Sequence, residues 1–389
     1  SPENREQMTV LLNSVWNTIV ADISKSRKLS IAQLNAIANT LGARTPELAL
    51  ANKLVDKVAY EDEYHDMIRA KLKVDKKEKY DIVSITDYAK KASSTVEDYS
   101  KNDIIAVIYA QGEIAGGEGD VNVIGEGSIK RSLQEARDDK DVKAIVLRVN
   151  SPGGSALTSE LIWREIEITK KVKPVVVSMG NYAASGGYYI AANADRIFAE
   201  PNTITGSIGV FGMLPNMNQL GKNIGINAEQ VKTHENASGY SVFEPIDENF
   251  KGFVLESIEK TYATFLKRVA DGRKMTTEQV DAIAQGRVWT GVDAHKLGLV
   301  DEIGGLDAAI KYAAKLGKTS SYRTENYPEY EKSFEDLLAN FTGMAMFKTK
   351  EQLLKEQLGE EGFQMLEQIK RVKSRKGIQA IMPYEIQIH

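Results

Sequence analysis

Two short glycine turns each follow an apolar run: Ser151-Pro152-Gly153-Gly154-Ser155 after "AIVLRVN", and Ala183-Ala184-Ser185-Gly186-Gly187 after "PVVVSMG". Small residues let the backbone turn sharply and let another group come close. Glycine leaves its N–H unshielded, and N–H groups at a helix start point outward without an intrahelical acceptor. One such amide from each turn could hold the oxyanion of a carbonyl attacked by the Ser185 hydroxyl, which is the chemistry of acyl transfer. The same residues also suit plain left-handed turns and helix caps. Neither pattern is the strand–GxSxG–helix elbow of the α/β-hydrolases, so spacing alone leaves both readings open.

The elements that must position these turns alternate along the chain. Strands are expected at 104–110, 144–150 and 174–180, with short strands near 196–199. Between them fall a glycine-rich loop (111–127), helices over 128–138 and 157–170, and a helix opened by Ser185. Such alternation predicts α/β layering on a parallel sheet. Right-handed crossovers gather the loops after parallel strands on one sheet edge, so both turns should face one crevice.

Self-comparison reveals a second level of organisation. "WNTIVADISKSRKLSIAQLNAIA" (16–38) aligns without gaps on "YATFLKRVADGRKMTTEQVDAIA" (262–284), and one residue of slippage then aligns 49–58 with 294–303. Each copy reads as a long amphipathic helix, a short helix capped by Ser30 or Thr276, and a turn. The second copy has a strand-rich section before its helix; the first begins almost at its helix. A tandem duplication truncated at the front of its first repeat is therefore expected. The divisions are 1–70 (helical end of the first repeat), 71–103 (polar linker), 104–320 (complete second repeat) and 321–389 (a Lys/Glu-rich helical tail).

Composition narrows the function classes. The 389 residues carry a net charge of −4, which gives no reason to expect a nucleic-acid partner. Without cysteine there is no thiol nucleophile, disulfide or thiolate metal site. The four histidines (65, 234, 295, 389) never fall at metal-ligand spacing, so a metal enzyme is not expected. No apolar run approaches the roughly 18 residues of a membrane span. The chain lacks an initiator Met and reads as a trimmed product.

Three motifs, "VKAIVLRVNSPGGS", "KPVVVSMGNYAASGGYYIAANADRIFA" and "TGSIGVFG" (205–212), together resemble the bacterial signal peptide peptidases of the protease IV type. The repeat is similar to their long, tandem-domain form, and the likeness covers about 1–320. The resemblance implies a Clp-protease/crotonase-like fold and a serine peptidase. It places the nucleophile on Ser185, the oxyanion donors on the N–H groups of Gly154 and Gly186, and a base-orienting serine on Ser207. Taken alone, Ser207 reads as a turn or capping serine. The resemblance also implies hydrophobic peptide substrates such as cleaved signal peptides, and no cofactor. It implies a homo-oligomer of the order of a tetramer, and a place on the outer (periplasmic) side of the bacterial cytoplasmic membrane, held by an anchor outside this chain. Exposed apolar faces of the glycine-rich loops would support that assembly.

The proton acceptor is the gap. His234 and His295 have no Asp arrangement that forms a triad, and His295 stands where the first copy has Leu50. The resembled family uses a neutral lysine, which requires burial to suppress the charged form. The matching position of the second repeat falls on Glu235; its first-repeat equivalent lies about eleven residues upstream of Ser1. Lys232 qualifies if that alignment slips by three. The base is thus expected from outside these residues, leaving the chain alone inactive or nearly so. Two other readings stand beside this one, a crotonase-type acyl-CoA enzyme and a non-catalytic scaffold. Tyr182, Tyr188 and Met213 could line a pocket or simply pack in the core.

Overall fold

The structure is a computed structural model and describes residues 1–75, 78–88, 102–234, 237, 240–328 and 379–382. The chain divides into two compact units, Ser1–Asn102 and Asp103–His389.

The first unit is helical, with helices Pro2–Arg27, Ile31–Asn39, Pro46–Ala51 and Glu61–Leu72. Lys28 stops the long helix in the left-handed region (φ 56°). Ser30 then opens the next helix with a reciprocal capping box to Gln33, which satisfies two end donors. Val20, Leu29 and Leu34 form the small core. Arg27 ties the turn together, donating to the Lys53 carbonyl (2.8 Å) and pairing with Asp56 (2.9 Å).

The second unit repeats these devices. Helix Glu248–Arg273 is also 26 residues long and stops at Lys274 with φ 57°. Thr276 and Gln279 form the equivalent capping box, and Arg273 donates to the Gly298 carbonyl (2.9 Å) and pairs with Asp301 (2.6 Å). Surroundings differ, however. Phe265, Val269, Val280 and Ala284 of the second copy are buried in the main core, whereas Trp16 and Ile19 of the first are 38% and 39% exposed.

Ahead of the second helix lies the expected parallel sheet. Its strands are β1 (Asp103–Gln111), β5 (Val142–Ser151), β7 (Val175–Ala184), β8 (Arg196–Ala199), β9 (Ile204–Gly206), β10 (Val288–Thr290), β11 (Glu302–Ile303) and β12 (Tyr322–Tyr327). The path runs β10-β9-β7-β5-β1-β12, with β8 beside β7 and β11 beside β8. All pairs are parallel except β9 with β10. Continuous apolar runs such as Ile104–Ile108 suit strands covered on both faces. Helices Glu126–Asp138, Ala156–Lys170, Gly186–Ala191 and Glu248–Arg273 lie on one side, and helix Leu306–Leu316 on the other.

Two expectations need correction. The glycine-rich stretch 111–127 is not a free loop. It forms β2 (Glu113–Ala115), β3 (Gly119–Asp120) and β4 (Val123–Gly125), part of a second sheet with β6 (Gly153–Ser155) and β13 (Gln379–Ile381). Ile114 and Ile124 of that stretch are buried, while Val121 is exposed. Nor is the tail helical where it is described. β12 completes the edge beside β1 and β13 pairs with β6, because each meets an open strand edge that the local sequence does not announce.

Candidate active site

The register of three parallel strands brings the motifs together. Ser151 of β5 stands opposite Ala183 of β7, and Ala184 stands opposite Gly206 of β9. Ser185 and Ser207 are therefore the residues immediately beyond a paired position, on the same edge of the sheet. Side chains reinforce the register: Thr205 Oγ1 donates to the Ala183 carbonyl (2.7 Å), and Ser151 Oγ accepts from the Gly153 N–H (3.1 Å). Sequence reading overlooked both positioning residues, since an isolated Thr or Ser in a strand gives no signal of its own.

Ser185 occupies the corner between β7 and helix Gly186–Ala191 with φ 52° and ψ −115°. A serine at positive φ is strained, and such strain concentrates where a side chain must be presented in a fixed direction. Its N–H is held by the Gly206 carbonyl (2.8 Å), while its Oγ makes one long contact to the Gly209 carbonyl (3.4 Å). The hydroxyl is thus poorly tied, although the residue is 0% exposed. Ser207 is also at positive φ (47°), with its N–H on the Arg287 carbonyl (2.6 Å). Among the described residues its hydroxyl has no hydrogen-bond partner.

The two amides lie side by side. Gly153 and Gly154 have φ of 105° and 156°, and a methyl at Gly154 would sit 2.0 Å from the Ile114 carbonyl oxygen. Only glycine fits this turn. A methyl at Gly153 would lie 2.8 Å from the Gly186 nitrogen, and one at Gly186 would lie 3.2 Å from the Gly154 nitrogen. The Gly186 N–H has no hydrogen-bond partner among the described residues, whereas Gly154 faces Ala380 of β13.

Beside Ser207 opens a largely apolar cavity of about 460 Å³, lined among others by Val210, Phe211, Ile258, Tyr262 and Ile381. The Tyr262 hydroxyl donates to Asp281 (2.6 Å), and burial together with that carboxylate pushes its pKa up to about 12.

The remaining candidates stand apart from this cluster. Glu235 and His389 lie outside the described residues. Lys232 and His234 are exposed, as is His295, whose ring faces the Val300 carbonyl. Burial holds Lys173 below the ordinary ammonium pKa, but its Nζ is bound to the Ala136 and Asp139 carbonyls just before β7. Ten strand residues separate that end from Ser185, roughly 30 Å. Tyr188 is core, its hydroxyl donating to the Leu299 carbonyl (2.8 Å); Tyr182 is half-buried and Met213 exposed. Among the described residues no group of three or more His, Cys, Asp or Glu could hold a metal.

A parallel α/β sheet that presents a strained serine beside two glycine turns is an arrangement capable of nucleophilic acyl transfer. Comparison with known proteins supplies the family. Residues 1–75 and 167–320 match peptidase family S49, and the chain belongs to it. It is 38% identical over 328 residues to Protease 4 of Haemophilus influenzae, covering 81% of this chain and 52% of that protein. It is 35% identical over 318 residues to the chloroplastic serine protease SPPA of Arabidopsis thaliana (80% and 47%). With the putative signal peptide peptidase SppA of Enterococcus faecium it shares 33% identity over 239 residues (60% and 69%). The chain spans about half the length of the first two relatives.

Proposed function

We propose that this chain is the nucleophile-bearing part of a serine endopeptidase acting on extended hydrophobic peptides, cleaved signal peptides among them. The observation that carries the reading is the strand register that brings Ser185, Ser207 and the two glycine turns to one edge. Ser185 Oγ attacks the substrate carbonyl carbon, and the hydroxyl proton passes to a neutral lysine. The N–H groups of Gly154 and Gly186 hold the oxyanion. Collapse of the tetrahedral intermediate breaks the C–N bond and leaves an acyl-enzyme, the lysine delivering its proton to the departing amine. The same lysine then activates the water that releases the acyl group. Ser207, whose hydroxyl has no partner among the described residues, orients the lysine at the wall of the cavity.

The lysine comes from outside these 389 residues, from the front of the first repeat. Two observations support this. The described lysines discussed above are exposed or bound elsewhere, and the face that packs on a sheet in the second copy is open at Trp16 and Ile19 in the first. The peptide class is taken from relatives named as signal peptide peptidases, and family membership favours it over an acyl-CoA substrate. The membrane location, on the periplasmic side, and homo-oligomeric assembly are carried in the same proposal from the family resemblance. Among the described residues, no helix is long and apolar enough to cross a membrane.

The test is labelling by a fluorophosphonate probe. The chain lengthened by its upstream genomic sequence should label, and Ser185→Ala should abolish labelling. The 389-residue chain alone should turn over casein weakly or not at all. Absence of labelling in the lengthened chain would defeat the peptidase reading, and robust turnover by the short chain would defeat the external base.

A further inference from the structure

The helix that follows the nucleophile, Gly186–Ala191, is six residues long and too short to hold itself in place. Contacts with the rest of the unit must fix it. The residue at its head, Ser185, has φ 52°, a strained value that persists only where the surroundings over-determine it. The Ser185 backbone has two holds. Its N–H donates to the Gly206 carbonyl, and its own carbonyl accepts from the Tyr189 N–H at 2.8 Å, four residues on. The second hold is only as firm as Tyr189.

Tyr189 is clamped from two other helices. It is buried, and its ring packs on Phe265 of helix Glu248–Arg273 with centroids 4.7 Å apart. Its hydroxyl donates to Glu160 Oε2 of helix Ala156–Lys170 at 2.5 Å. Arg268, from the same helix as Phe265, grips that carboxylate twice, Nη2 to Oε1 at 2.5 Å and Nε to Oε2 at 3.2 Å. The guanidinium also lies over the Trp163 ring, 3.8 Å from its centroid. A bidentate, stacked arginine holds a carboxylate in one orientation. Burial and the Glu160 carboxylate outweigh the opposing effect of Arg268 and push the Tyr189 hydroxyl well above the ordinary phenol pKa, so it stays a donor. Tyr188 is anchored separately, on the Leu299 carbonyl. The two tyrosines project about 100° apart around the helix, so Tyr188 alone fixes its position and the pair fixes its rotation.

We propose that Glu160 is a positioning residue for the nucleophile: held by Arg268, it fixes Tyr189, and through the Tyr189 N–H it sets the direction in which Ser185 is presented. The inference rests on the peptidase reading for the role of Ser185. It adds that the serine's reactivity is set from the far side of its helix, by a carboxylate that touches no reacting atom. A shift of about 1 Å in a reacting group, caused by a change away from the chemistry, can cost about 10²-fold in rate.

Four variants of the lengthened chain test this: Tyr189→Phe, Glu160→Ala, Glu160→Gln and, as control, Glu165→Gln, which loosens a buried pair with Arg137 further along the same helix. The readouts are fluorophosphonate labelling of Ser185, kcat and KM on a hydrophobic peptide ester, and hydrogen exchange at the Tyr189 amide, with thermal melting to verify folding. Tyr189→Phe and Glu160→Ala should lower the labelling rate and kcat about 10–100-fold, leave KM unchanged and speed exchange at the Tyr189 amide. Glu160→Gln, which keeps an acceptor for the Tyr189 hydroxyl, should label faster than Glu160→Ala. Glu165→Gln should lower the melting midpoint and leave the labelling rate alone, whereas a merely stabilising role for Glu160 would make the two positions behave alike. Folded Tyr189→Phe and Glu160→Ala chains that label at the parent rate would overturn the proposal and leave the peptidase reading in place. Failure of the parent to label, with Tyr189 exchange still faster in both variants, would remove the peptidase reading and keep the clamp on residue 185.

Discussion

Gly186→Ala separates the chemistry of the proposed site from its stability. The added methyl would stand 2.7 Å from Ser159 Oγ, 3.0 Å from the Ala380 carbonyl oxygen and 3.2 Å from the Gly154 nitrogen. Gly186 is the first residue of its helix and has no positive φ, so alanine fits the backbone. Restricting the unfolded chain contributes about 0.4–1 kcal/mol of stability at such a position. Against this, Ser159 Oγ must turn away and give up its bond to the Ser155 carbonyl (2.9 Å), a loss of about 0.5–1.5 kcal/mol. The two nearly cancel. Stability should stay within about 1 kcal/mol of the parent, a shift in melting midpoint of about 2–4 °C.

Reactivity should behave differently. The methyl crowds the corner where an oxyanion would sit between the two amides, and losing one such donor typically costs about 10²–10³ in rate. In the lengthened chain, fluorophosphonate labelling of Ser185 should fall by about that factor while the melting curve barely moves. Gly154→Ala cannot serve as this probe. With φ 156° and the Ile114 carbonyl 2.0 Å from the new methyl, it would disrupt the second sheet as well. If Gly186→Ala folds normally and labels at the parent rate, the Gly186 amide does not contact the reacting carbonyl and the proposed mechanism is wrong.

Ser207→Ala should leave the melting midpoint unchanged, since the hydroxyl has no described partner, yet slow labelling by about 10–100-fold, part of the 10²–10⁴ a general base supplies. Asp301→Asn should cost about 3–5 kcal/mol in chemical denaturation, because it breaks a pair with the buried Arg273. Asp56→Asn at the equivalent place in the first unit should leave the denaturation midpoint where it is, the Asp56 carboxylate being 89% exposed. Burial raises the Asp301 pKa, but the Arg273 hydrogen bonds and charge, with the Ile197 N–H, outweigh it and hold the group below its ordinary 3.8. Its stabilisation is therefore complete above about pH 4 and lost as pH falls through the lower folded value, a decline that Asp301→Asn should not show in denaturation measured from pH 7 to 2. Thr276→Ala should remove about 1 kcal/mol by opening the capping box, read as a lower denaturation midpoint.

What was legible in the sequence was what local chemistry decides. Runs such as Ile104–Ile108 and Val175–Val177 can only be strands covered on both faces. Ser30 and Thr276, each three residues before a glutamine, announce helix starts that the structure caps as written. What stayed hidden depends on partners far along the chain. Nothing in "GSIG" says that Ser207 will stand beside Ser185; the pairing of Ala184 with Gly206 decides it. Nor does Ala-Ser-Gly reveal that the serine will take φ 52°, since the strain is imposed by the strand before it and the helix after it. The strand at 379–381 was the least legible of all. Gly-Ile-Gln-Ala-Ile-Met is a short uncharged stretch in a charged tail, with no periodicity to mark it. Its conformation is set by the open backbone edges of β6 and Phe211, not by its own residues.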